Sequence, residues 1–280
     1  MRLILNILFC QFTLLCFAQD ELSKVANEIL NKGLSLYRLE MASWQSTDSL
    51  NAEDKKRAEG YFSYRQNGIL QSIYYDPSGE FAVKKFLFTE DSLVSVTIQE
   101  IEENVPLTSN ETAIVNFTKK AKDMSVVWYS MQGWSEIVNP NIMVVKGDSD
   151  YEYICIPGAK SGGFTPIGGE IKHKFNSKNE WNGMDHLHNN LIPIEHHDDA
   201  AIASHNHFGK KLGKEYITPT DICTILLYQR WSNVDQHIVV HKKFISEFYP
   251  KTLKLVIREN KDKLRLEDIG EYVKNQTKTK

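Results

Sequence analysis

The sequence predicts an α+β protein: an N-terminal helix and an antiparallel meander, followed by a mixed α/β domain. Three observations carry this. Apolar residues recur at three- and four-residue steps from Glu21 to Met41. Short β-branched and aromatic runs between Tyr61 and Gln99 are separated by turn sequences. Beyond Trp134, strand-like runs resume and are followed by a capped helix.

The chain opens with Met1 and Arg2, an apolar stretch from Leu3 to Phe17, then Ala18 and the polar residues Gln19, Asp20 and Glu21. A short positive end, an apolar middle and a small residue at the polar boundary describe a cleavable secretory signal over residues 1–18, cut after Ala18. A spanning helix needs about 20 apolar residues, and this stretch is shorter. Neither Cys10 nor Cys16 is preceded by the small residues of a lipidation site. The expectation is a secreted or periplasmic protein with no transmembrane segment after signal removal.

In the helix from Glu21 to Met41, Leu22, Val25, Ala26, Ile29, Leu30, Leu34 and Tyr37 share one face. A polar linker follows from Ser46 to Glu59. Strands are expected at Tyr61–Tyr64, Ile69–Tyr75, Phe81–Phe88 and Leu93–Gln99. The turns between them are Gln66-Asn67-Gly68, Asp76-Pro77-Ser78-Gly79 and Thr89-Glu90-Asp91-Ser92. A second helix begins near Ser109 or Asn110 and ends before Val126. Residues 19–134 thus read as a helix-and-sheet domain and 135–280 as a second domain. The latter starts with strands at Ile142–Lys146 and Tyr151–Ile156. The glycine-rich stretch Pro157–Glu170 lacks the Gly-Lys-Ser/Thr ending of a phosphate loop and reads as a hairpin or site-bordering loop.

Composition excludes several classes. The net charge is −3, with 41% hydrophobic and 25% charged residues. Basic residues cluster only at Lys55–Arg57 and in the C-terminal tail, so the chain lacks the concentrated positive surface of a nucleic-acid binder. With the signal removed, Cys155 and Cys223 remain, enough for at most one disulfide and too few for a four-cysteine zinc cluster. Their pairing is open at this point. The sequence has no Gly-x-Ser-x-Gly elbow, no His-Glu-x-x-His helix and no dinucleotide fingerprint.

The chemistry concentrates in the histidines. Seven of nine lie between His173 and His207. The segment Ala200–His207 reads as a strand ending His205-Asn206-His207. Alternate strand residues share a face, so the two imidazoles point the same way and can grip one ion. In Thr218-Pro219-Thr220-Asp221, Thr218 suits an N-cap and Pro219 the first turn of a helix, which brings Asp221 onto that turn. Two imidazoles and a carboxylate form a zinc set with a fourth position for water. His186, His188, His196 and His197, with Asp185, Asp198 and Asp199, are either further ligands or a solvated polar loop. His237 and His241 read as packing or exposed residues.

This run resembles the JAMM/MPN metallopeptidase motif, a strand-borne His-x-His followed by Ser-x-x-Asp opening a helix, and is especially similar to its RadC branch. The resemblance spans roughly Ser135 to the C-terminus. It implies a JAMM-like domain in which His205, His207 and Asp221 bind Zn2+ and Thr218, in place of the family's serine, helps hold the oxyanion. It also implies an upstream glutamate that deprotonates the water. Glu152, near the start of a strand, is the first choice among Glu136, Glu152 and Glu170. Ten residues separate His207 from Thr218, more than the family uses. The implied activity is zinc-dependent peptide or isopeptide hydrolysis on a peptide or protein substrate. The alternative is an exported binding module with a degenerate metal site.

Overall fold

A computed structural model describes residues 2–146, 150–176, 178, 180–208 and 214–272, with side chains from residue 21 onward. The fold is α+β, as the sequence predicts. In chain order it comprises α1 (Arg2–Ser49), α2 (Ala52–Arg57), β1 (Gly60–Gln66), β2 (Ile69–Tyr75), β3 (Phe81–Ser92), β4 (Ser95–Pro106) and α3 (Ser109–Met131). There follow β5 (Val138–Lys146), β6 (Tyr151–Ala159), β7 (Phe164–Gly168), β8 (Ile171–Phe175), β9 (Trp181–His186), β10 (Leu191–Glu195) and β11 (Ile202–Asn206). The chain closes with α4 (Pro219–Tyr228), β12 (Gln236–Val240), β13 (Phe244–Tyr249) and β14 (Lys254–Glu259). Among the described residues, no helix is long and apolar enough to cross a membrane.

The chain forms two compact units. One comprises Met1–Gly33, His197–Ile222 and Gln229–Lys280; the other comprises Leu34–His196 and Cys223–Tyr228. The sequence-derived boundary at 134/135 falls inside the second of these. The reason is a shared core: Phe62, Tyr64 and Ile73 of the meander, Ile114 and Val115 of α3, and Ile142, Tyr153, Cys155 and Ile171 of β5, β6 and β8 form one buried cluster.

Within that second unit, β1-β2-β3-β4 is the expected antiparallel meander, and β5-β6-β8-β9 is a further four-stranded sheet. The β3–β4 hairpin is longer than the sequence suggests. Thr89–Ser92 continues β3, and the turn falls at the exposed pair Leu93 and Val94. The polar residues there suit a solvent-facing ribbon as well as a turn. α3 also runs past Val126 to Met131, because Ala121, Ser125 and Tyr129 repeat every four residues and are all buried. Its start is a capping box between Thr108 and Glu111. Cys155 and Cys223 are buried free thiols.

The first unit holds the mixed sheet β11-β12-β13-β14, in which β11 and β12 are parallel and the other pairs antiparallel. Parallel neighbours need a crossover, and α4 lies in it. Gly33 of α1 lets the chain approach α4 closely: a Cβ there would stand 2.5 Å from Ile222 Cβ and 3.1 Å from the Pro219 carbonyl oxygen. Gly33→Ala should therefore destabilise the protein. The gain in helix propensity, about 1 kcal/mol, is outweighed by an overpacking cost of about 1–3 kcal/mol, because neither Cβ can rotate away. A thermal melt of the variant above the native midpoint would contradict this.

Candidate metal centre

β11 pairs in parallel register with β12, Ala203 opposite His237 and His205 opposite Val239. Residues 203, 205 and 237 consequently share a face of the sheet. His207 lies just past β11 and extends the ladder, its N–H donating to the Val240 carbonyl at 2.9 Å. The approach to α4 is tied to the same sheet, where the Ile217 N–H donates to Ser246 Oγ of β13 at 3.1 Å. Thr218 then caps the helix. Its Oγ1 accepts from the Asp221 N–H at 3.1 Å, while its own N–H and hydroxyl donate to Asp221 Oδ2 at 2.8 Å each. This reciprocal cap fixes the Asp221 carboxylate.

The three sequence-predicted ligands converge. His205 Nε2 lies 3.0 Å from His207 Nε2 and 3.8 Å from Asp221 Oδ1, and His207 Nε2 lies 3.5 Å from Asp221 Oδ2. All three side chains are almost fully buried. Donors about 2.0–2.1 Å from a tetrahedral zinc stand about 3.3–3.4 Å apart, so these separations fit one shared ion. The donor chemistry fits as well, since a buried carboxylate beside two imidazole nitrogens is a set that a cation satisfies. Among the described residues, His207 and Asp221 belong to a three-residue His/Asp group able to hold a metal ion, a group that does not include His205.

Hydrogen bonds set the tautomers. His207 Nδ1 is 2.8 Å from the Tyr216 carbonyl oxygen, which can only accept, so Nδ1 carries the proton and Nε2 presents its lone pair. His205 Nδ1 is 2.8 Å from His237 Nε2. Burial pushes the His237 imidazole down to about 4, with the nearby Asp221 carboxylate opposing and His207 adding to the fall. His237 is thus neutral at ordinary pH and can accept from His205 Nδ1–H, which leaves His205 Nε2 free to ligate. His237, read from sequence as packing or exposed, is a supporting partner. Only the parallel register could have revealed this.

The remaining sequence-selected residues are spread over several settings. Glu152, on β6, is partly exposed and ion-paired with Lys172 at 2.5 Å. Glu136 lies in the exposed turn before β5. Glu170, just before β8, is fully buried, with Oε2 2.5 Å from His188 Nδ1 and Oε1 lacking a hydrogen-bond partner among the described residues. His186 packs on Trp128 at 4.4 Å, and Asp185 pairs with Lys174 at 2.7 Å. His196 Nε2 meets Thr165 Oγ1 at 2.8 Å, and burial lowers its pKa. His197, Asp198 and Asp199 lie around the turn before β11.

Comparison of the chain with protein-family models, with curated proteins and with solved structures yields no match.

Proposed function

We propose that this protein is an exported zinc-dependent hydrolase of JAMM-like type that cleaves a peptide or isopeptide bond, with residues 1–18 as its removed secretory signal. One observation supports it above the rest: His205, His207 and Asp221 meet at ligand separations of 3.0–3.8 Å with their tautomers and carboxylate already held by neighbours. A zinc ion there supplies Lewis acidity, acidifying water towards a pKa of about 7 and polarising a carbonyl. Asp221, fixed by the Thr218 cap, holds the negative charge of the set. His237 and the Tyr216 carbonyl orient the two imidazoles.

Glu152 is the proton acceptor that the resemblance implies. A base needs a desolvated carboxylate with an open oxygen, and Glu152 is instead a partly exposed partner of Lys172. Thr218, assigned to the oxyanion from sequence, has its hydroxyl engaged in the cap. That engagement favours a second reading, an exported binding module that holds zinc without turnover.

The test is metal analysis of purified protein, together with hydrolysis of a peptide and isopeptide panel before and after chelation and zinc return. The hydrolase reading expects turnover that is lost on chelation and restored by zinc. Zinc binding without any turnover leaves the binding module. Absence of zinc binding defeats both.

A further inference from the structure

A groove of about 310 Å³ adjoins His207 in the first unit, past the C-terminal ends of the parallel strands β11 and β12. Ligands favour this end of parallel strands, where backbone and loops diverge. Its apolar wall includes Leu264, Leu266 and Phe208, the last of which is 84% exposed.

His241 also lines the groove, yet as a residue it is only 2% exposed. It is held on several sides. Its N–H donates to the Phe244 carbonyl at 2.9 Å, and its own carbonyl accepts from Asn260 Nδ2 at 3.0 Å. Its Nδ1 accepts from the Lys243 backbone N–H at 3.3 Å. A backbone N–H is only a donor, so Nδ1 bears the lone pair and the ring proton sits on Nε2. Nε2–H is therefore a fixed donor left for whatever occupies the groove. Charge adds a second selector. Arg265 on the rim is already paired with Glu267 at 2.8 Å. Lys242 has no ion-pair partner among the described residues and is exposed.

We propose that this groove is the substrate subsite beside the metal centre, taking an extended peptide whose carbonyl accepts from His241 Nε2. In it, an apolar side chain lies against Leu264, Leu266 and Phe208, and an acidic residue faces Lys242. This rests on the reading of His205, His207 and Asp221 as a metal centre, but it is tested by binding rather than turnover.

The probes are two fluorescein-labelled hexapeptide pools, each with one fixed leucine, one pool with a fixed aspartate and the other with lysine at the same position. Anisotropy titrations use the full protein, and zinc content is measured on the same samples. The aspartate pool should bind more tightly than the lysine pool, and Lys242→Glu should reverse that order. His241→Asn keeps an acceptor for the Lys243 N–H but withdraws the outer donor, and should weaken binding about 3- to 10-fold, the worth of one hydrogen bond. His241→Gln, which returns a donor near the Nε2 position, should recover most of that loss. Equal binding of the two pools, absence of binding, or identical behaviour of the Asn and Gln variants overturns the assignment. Zinc content reports separately on the metal centre, so loss of one reading is not mistaken for loss of the other.

Discussion

His207→Ala is expected to lower zinc affinity by more than about 100-fold. Substitutions of residues that merely orient a metal ligand cost about 10–100-fold, and the proposed centre makes His207 a donor itself, 3.0 Å from His205 Nε2 and 3.5 Å from Asp221 Oδ2. The substitution removes one donor of three and leaves His205 facing Asp221 alone. Competition with a chromophoric chelator measures the change. Lys242→Glu, at the groove and outside the donor set, is the control and should leave zinc affinity unaltered. An unchanged affinity in His207→Ala would remove it from the ligand set.

The largest single effect on folding is expected at Glu111. Its carboxylate is 1% exposed. Oε1 accepts from Lys85 Nζ and from the Tyr64 hydroxyl at 2.9 Å each, and Oε2 accepts from the Thr108 N–H at 2.8 Å and the Thr108 hydroxyl at 2.9 Å. Glu111→Ala strips the capping box from α3 and leaves Lys85 without its counter-charge, a loss of about 3–5 kcal/mol for a broken buried pair. Denaturant titration measures it. The same residue predicts acid sensitivity. Burial raises its pKa, but the hydrogen bonds from Thr108, Lys85 and Tyr64 outweigh that and hold it below its ordinary 4.5. A carboxyl depressed in the folded state stabilises fully above its unfolded value, and that contribution is lost as pH falls from about 4.5 through the folded value. Glu111→Gln should flatten this part of the stability profile. An unchanged slope would show that other carboxyls set it.

Local chemistry made part of the structure readable in sequence. The period-two segment Ala200–His207, the capping residue Thr218 and the first-turn Asp221 each depend on neighbours a few residues away, and the three predicted donors do come together. The meander was readable for the same reason, its strands being set by alternation and turn residues. What sequence could not supply depends on distant partners. His237 joins His205 only because β12 pairs with β11 in one register. Val126–Met131 continues α3 because Ser125 and Tyr129 are buried on the helix face that Ala121 begins, although its β-branched and aromatic residues suit a strand equally well. The single core uniting meander, α3 and β5–β8 moved the boundary away from residue 134.

The account stands on three donors sharing one cation. Crystals of the zinc-loaded protein, with anomalous scattering recorded at the zinc edge, test this directly. The account predicts one peak, about 2.0–2.2 Å from His205 Nε2, His207 Nε2 and an Asp221 carboxylate oxygen. A peak that leaves out any of these three residues, or no peak in their midst, would contradict it.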